Sequence, residues 1–225
     1  MNDRQPHYNS GNKGSSEDQQ QSGAEEYEPG VEAAAADSET GHEEDPAPNP
    51  LIYVASVADY EAGRTHGVWL EAAREPEAIY DDIHRMLESS SVPDAERFAI
   101  RDSEGFGVAR VYENDSIELV STIARGIAEH GHAFAAWADV NEGASEHYDH
   151  FARAYIGHYA SLAAYAQQLM QEMGYEALLD TTLPEDLRQH VHIDYDAVAQ
   201  GLFRDGHVQV YKAPGGGVWL FDERA

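Results

Sequence analysis

Residues 96–107 read ERFAIRDSEGFG, and the parsing of this stretch decides how the rest of the chain is organised. Phe98, Ala99 and Ile100 make a short apolar run, whereas Arg101, Asp102 and Glu104 surround the next turn with charge. An apolar run of that length, closed by glycines, predicts a strand over residues 97–102 and a turn over SEGF. Ser103 has no histidine near it in sequence to act as a base. SEGFG also places a glutamate where a phosphate loop would have to attract an anion. The stretch is therefore an ordered acidic strand and turn with no catalytic equipment of its own.

Working outward, LIYVASVADY (51–60) reads as a strand and VWLEA (68–72) as its neighbour across the loop EAGRTHG. PEAIYDDIHRMLESS (76–90) reads as a helix with Pro76 in its first turn. Ile79, Ile83, Met86 and Leu87 fall on one stripe, which leaves Glu77, Asp81, Asp82, Arg85 and Glu88 toward water. Residues 51–108 are thus expected to form a small α/β unit. Downstream, SIELVSTIARGIAEHG (116–131) predicts a helix that starts at Ser116 and stops at Gly131, burying Ile117, Val120, Ala124 and Ile127. AFAAWADV (133–140), SEHYDHFARAYIGHYA (145–160) and SLAAYAQQLMQEMG (161–174) read as three further helices. PEDLRQHV is a helical turn, DYDAVAQGLFRDG a helix capped by Asp194, and HVQVYKAPGGGVWLFDE a hairpin around a Pro-Gly-rich loop.

The expected fold class is α+β, elongated, with three small consecutive domains. These are a mixed α/β domain at 49–110, a helical bundle at 111–174 and a mixed α/β domain with the hairpin at 175–225. Residues 1–48 contain no Ile, Leu, Phe or Trp. Such a composition cannot offset its ordering entropy and reads as a disordered acidic tail.

The charge excludes more than it specifies. The chain has 225 residues, 42 acids and 14 Lys plus Arg, for a formal net charge of −28. The tail accounts for −10, which leaves −18 on residues 49–225. Such a surface repels nucleic acid and anionic membranes and attracts proteins with basic clefts. A salt-adapted protein whose acids only maintain hydration would have the same composition. There is no cysteine, hence no disulfide, thiolate metal site or cysteine nucleophile. No stretch reaches the roughly 18 apolar residues of a membrane span, and the first residues lack a signal-peptide pattern, so a cytoplasmic location is expected.

Twelve histidines include the pair His147 and His150 in EHYDH, a spacing that metal sites use. No third imidazole stands at a telling distance, so a His-dependent metalloenzyme is the lesser alternative. GGG at 215–217 lacks the lysine and following helix of a phosphate loop. Asp194 and Asp196 are a helix cap and a first-turn acid rather than a catalytic pair.

PLIYVASVADYEAGRTHGVWLEA, the helix with IHRMLESS, and AERFAIRDSEGFG are followed in order by IARGIAEHG, AYIGHYASLAAYAQQL and IDYDAVAQGLF. Together they resemble the ArdA-type antirestriction proteins over roughly residues 49–225. The acidic tail extends beyond the usual start of that family, and Phe98 and Ser103 stand where its pattern favours Trp and Tyr. The resemblance implies a homodimeric DNA mimic that inhibits Type I restriction–modification enzymes, with no enzymatic activity and no cofactor. Its partner would be the methyltransferase core complex, with no nucleic acid and no membrane.

B-DNA carries one charge per about 1.7 Å of axis, so the −36 of two such bodies matches the phosphates of about 18 base pairs. The acids that would stand in for phosphates are Asp59 and Glu61, then Glu77, Asp81, Asp82 and Glu88, then Asp102, Glu104, Glu113, Asp115 and Glu118. Glu129, Asp139, Glu142, Glu146 and Asp149 extend the track. The dimer that the resemblance implies would draw on Tyr195, Tyr211, Trp219 and Phe221, which could equally form the core of their own domain.

Overall fold

The apolar run that begins at residue 51 stays extended only as far as Ser56. There the Ser56 hydroxyl accepts from the backbone N–H of Asp59 at 3.2 Å and caps a short helix. Strand β1 is therefore Leu51–Ser56 and helix α1 is Val57–Glu61, where the sequence alone predicts strand through Tyr60. The computed structural model describes residues 48–224, so the expected tail lies outside the described residues except for its last position. The described chain is α+β with two small antiparallel sheets.

β2 (Gly67–Glu71), α2 (Pro76–Glu88) and β3 (Phe98–Glu104) complete the first part. The strand order is β2-β1-β3. Ile52, Val54, Leu70 and Ile100 face inward, and α2 covers them with Ile79, Ile83, Met86 and Leu87. Each fully buried side chain of this size contributes about 1.5–3 kcal/mol of transfer free energy. The register slips between Tyr53 and Val54, so Arg101 is the unpaired residue of a bulge. Its guanidinium lies 4.4 Å over the ring of Tyr60 and 2.8 Å from Glu113.

α3 (Ile117–His130) begins at Ser116, whose hydroxyl accepts from Leu119 N at 3.2 Å. It ends at Gly131, which takes φ 68° and starts α4 (His132–Val140) at once. The two helices meet where Gly126 lacks a side chain. A Cβ there would lie 2.2 Å from the ring of Phe134.

Residues 145–160 depart from the single helix expected. They form a 3₁₀ turn (Ser145–His150), a one-turn helix α5 (Phe151–Ala154) and a strand β4 (Tyr155–Tyr159). Tyr155, Ile156 and Tyr159 suit a pleated surface as well as a helix face. Gly157, at φ 150°, adopts a conformation closed to other residues, and pairing with a distant strand settles the outcome.

α6 (Leu162–Glu172) is capped by Ser161. α7 (Tyr175–Thr182) follows Gly174 and was not expected from sequence. α8 is Glu185–Arg188, and α9 is Tyr195–Arg204, capped by Asp194. The hairpin strands are β5 (Val208–Lys212) and β6 (Val218–Asp222). The second sheet has the order β4-β6-β5.

On one face of this sheet Leu220 and Val218 sit opposite Val210 and Lys212, and Tyr159 meets Tyr165 of α6 at 5.1 Å. On the other, Phe221 contacts Trp137 at 5.2 Å and Tyr155 at 5.8 Å. One continuous apolar cluster runs from Ile52 through α2, α3 and α4 to Phe221. Among the described residues no helix is long and apolar enough to cross a membrane.

Candidate functional site

The expected acids fall on helices, a strand edge and the turns between elements, and their surroundings divide them into groups. On α2, Glu77, Asp81 and Glu88 are exposed. At 3.6 residues per turn they lie within an arc of about 40°, opposite the stripe that packs on the sheet. Asp82 lies outside this arc and is half-buried. It holds Arg74 at 2.7 Å and also pairs with Arg85.

On β3, Asp102 and Glu104 point outward, about 6.8 Å apart along the strand. Asp102 accepts from the backbone N–H of Ser103 at 2.8 Å, which fixes its orientation. Glu104 is exposed at the sheet edge. Glu61 pairs with Arg97 at 3.2 Å and Glu113 with Arg101 at 2.8 Å. Exposed pairs of this kind contribute about 0–1 kcal/mol.

The acids of the helical part are placed differently. Glu118, in the first turn of α3, accepts from the Tyr80 hydroxyl at 3.3 Å. Burial, and then this carboxylate, push the Tyr80 phenol pKa up. Asp115 accepts from Tyr112 N at 2.8 Å. Glu129 lies 3.7 Å from His130. Glu142 accepts from the Tyr112 hydroxyl and stands 4.0 Å from Arg110.

Asp139 is half-buried and accepts from the Tyr211 hydroxyl at 3.0 Å. Burial first, then this carboxylate, raise the Tyr211 pKa to about 12. Glu146 and Asp149 are exposed on the 3₁₀ turn. Glu77, Asp81, Glu88, Asp102, Glu104, Glu146 and Asp149 have no cationic partner among the described residues.

Asp59 departs from the expectation of an outward-facing acid. Its exposure is 1%. The hydroxyl of Ser90, from beyond the end of α2, donates to it, and Arg64 lies 3.2 Å away. Ser90 first, then Ser56 and Arg64, hold its carboxyl pKa below the usual range against the opposing effect of burial. It stitches α1 to the end of α2 and is a structural residue.

Phe221 also departs from expectation. It is fully buried among Trp137, Phe151 and Tyr155 of its own chain. Trp219 and Tyr211 stack across the hairpin with ring centroids 6.3 Å apart. Tyr195 donates to Glu176 and ties α9 to α7. Well-exposed apolar side chains nearby include Met173, Tyr175, Leu178, Leu187, Val191 and Phe203.

Sequence reasoning passed over Glu71, Asp94 and Glu96, all exposed. Asp94 and Glu96 border a shallow groove of about 470 Å³ with Glu88 and His84. Their signal was available, since PDAE is an acidic turn beside a helix end. Glu71 belongs to the outer face of the first sheet, where register sets three rows side by side. They are Glu71–Leu51–Glu104, Trp69–Tyr53–Asp102 and Gly67–Ala55–Ala99. Trp69 is 41% exposed and its ring centroid lies 5.4 Å from that of Tyr53.

His147 and His150 stack at 5.6 Å, with His147 Nδ1 3.2 Å from Asn141 Oδ1. Among the described residues no group of three or more histidines and carboxylates converges to hold a metal.

A family model described as "Antirestriction protein (ArdA)" matches residues 52–214, from β1 to the loop between the last two strands. No curated protein matches the chain.

Proposed function

Because the chain belongs to the ArdA antirestriction protein family, we propose that it blocks restriction by occupying, as a DNA mimic, the DNA-binding cleft of a Type I restriction–modification enzyme. The observation that carries this reading is the set of exposed carboxylates on α2, β3 and the 3₁₀ turn that lack a cationic partner among the described residues. Their charges are unneutralised by the other described residues and carried on regular structure. A basic cleft that binds phosphates gains from the charge, and less entropy is lost because the backbone that carries the carboxylates is already ordered. Binding alone performs the function, with no bond made or broken.

The same reading includes a three-part organisation over 49–110, 111–174 and 175–225, in which the middle part contributes β4 to the sheet of the last, and pairing of two copies through the last part. Pairing uses the exposed apolar residues Leu178, Leu187 and Val191 of that part, because Phe221 is sealed inside its own chain.

Competition tests it. The protein is titrated against a labelled DNA duplex held by a Type I methyltransferase core complex, at two salt concentrations. Displacement that weakens as salt rises is expected. Absence of displacement from several Type I complexes at low salt and large excess would sink the proposal.

A further inference from the structure

The outer face of the first sheet combines two kinds of chemistry. Its middle row sets the rings of Trp69 and Tyr53 beside Asp102, and its upper row adds Glu71 and Glu104. None of the nine positions carries a positive charge. Gly67 gives the Tyr53 phenol its place, since a Cβ at 67 would lie 2.7 Å from the Tyr53 hydroxyl oxygen. With Trp69 at 41% exposure, an indole surface is left open to solvent with carboxylates around it. Aromatic faces bordered by carboxylates attract a guanidinium, which stacks on the ring while its N–H groups bond to the acid.

This chain already uses that arrangement internally. Arg101 lies 4.4 Å over the Tyr60 ring while it pairs with Glu113 at 2.8 Å. Neither Trp69 nor Tyr53 has a cation over it among the described residues.

We propose that the Trp69–Tyr53–Asp102 row seats an arginine side chain from the restriction enzyme's DNA cleft, stacked on the rings and paired with the carboxylate. Charge complementarity selects this occupant: the nine paired positions offer acids and π surface and no base, and Arg101 of the adjoining bulge is already taken up by Tyr60 and Glu113. The proposal rests on the DNA-mimic reading and adds to it a contact that DNA phosphates do not make. Trp69 supplies affinity that does not depend on net charge.

The test is the competition assay with the full chain and three variants, Trp69→Leu, Trp69→Phe and Asp102→Asn, each checked by thermal melting. Trp69→Leu keeps apolar bulk and removes the π face. It is expected to weaken displacement roughly three- to thirty-fold. Its salt dependence should match the parent, because no charge is lost. Trp69→Phe restores most of the affinity. Asp102→Asn keeps the acceptor for Ser103 N, and should weaken displacement and flatten the salt dependence.

Parent-like displacement by Trp69→Leu at an unchanged melting temperature overturns the proposal, as does a Trp69→Phe variant as weak as Trp69→Leu. Should Trp69→Leu melt far below the parent, Asp102→Asn decides, and parent-like displacement by it counts against the proposal. If the parent displaces no DNA, the DNA-mimic reading fails first and this inference with it. A parent that competes while the variants compete equally well leaves that reading standing and removes only the arginine seat.

Discussion

Replacing Phe221 with alanine separates two roles that the sequence leaves open for it. In the fold the ring is fully buried, with Trp137 at 5.2 Å, Tyr155 at 5.8 Å and Phe151 at 6.3 Å. Truncation therefore loses the transfer free energy of the ring and leaves a cavity that three large rigid rings cannot collapse to fill. Buried Phe→Ala changes cost about 3–5 kcal/mol, against a total of about 5–15 kcal/mol for a typical protein. For a chain of this size each kcal/mol lowers Tm by about 2–4 °C, so the expected fall is roughly 6–20 °C. Differential scanning calorimetry at equal protein concentrations measures it, and sedimentation of both proteins follows their association state. A core residue lowers Tm and leaves association as it was. A variant that melts within about 2 °C of the parent but dissociates more readily would refute the packing argument and return Phe221 to an interface.

Two further outcomes follow from particular contacts. Asp59→Asn should lower stability at neutral pH. The parent's Asp59 is held below its ordinary pKa of 3.8, so its contribution is complete above that value and is lost as pH falls through the folded pKa. The gap between the two proteins in urea midpoint should narrow from neutral pH to about pH 3, and parallel pH profiles would contradict this. Gly126→Ala places a methyl group 2.2 Å from a Phe134 ring carbon in a helix pair without slack. Overpacking of this kind costs about 1–3 kcal/mol, partly offset by alanine's helix propensity of about 1 kcal/mol over glycine. A urea midpoint equal to or above the parent's would show that the pair can separate.

What could be read in advance follows the range of the interactions involved. The stripe of α2 and the caps at Ser116, Ser161 and Asp194 depend on residues within four positions, and the structure reproduces each. The closing hairpin was legible because its alternation and its Pro-Gly loop agree. The β4 strand was not, because its aromatics fit either period and its partner is some sixty residues away. Asp59 looked like any surface acid, because the groups that bury it, Ser90 above all, come from a different element. α7 has no buried residue to mark a stripe. Exposed acids were the easiest part of the candidate site to find, since solvent exposure is what an unpatterned charged residue does by default. The aromatic row on the first sheet needed the register of three strands, which no single segment encodes.

The strand order of the second sheet governs when the protein can finish forming. β6, the last of the described strands, is the one that sits in the middle. Until residue 218 has left the ribosome, β4 and β5 have no common neighbour, and the rings of Trp137, Phe151 and Tyr155 lack the Phe221 that closes over them. At about 5–20 residues per second, the roughly sixty residues between β4 and β6 leave that apolar surface open for several seconds of synthesis. A chain stalled or clipped in the Pro-Gly loop would keep it open indefinitely, as a substrate for chaperones and proteases.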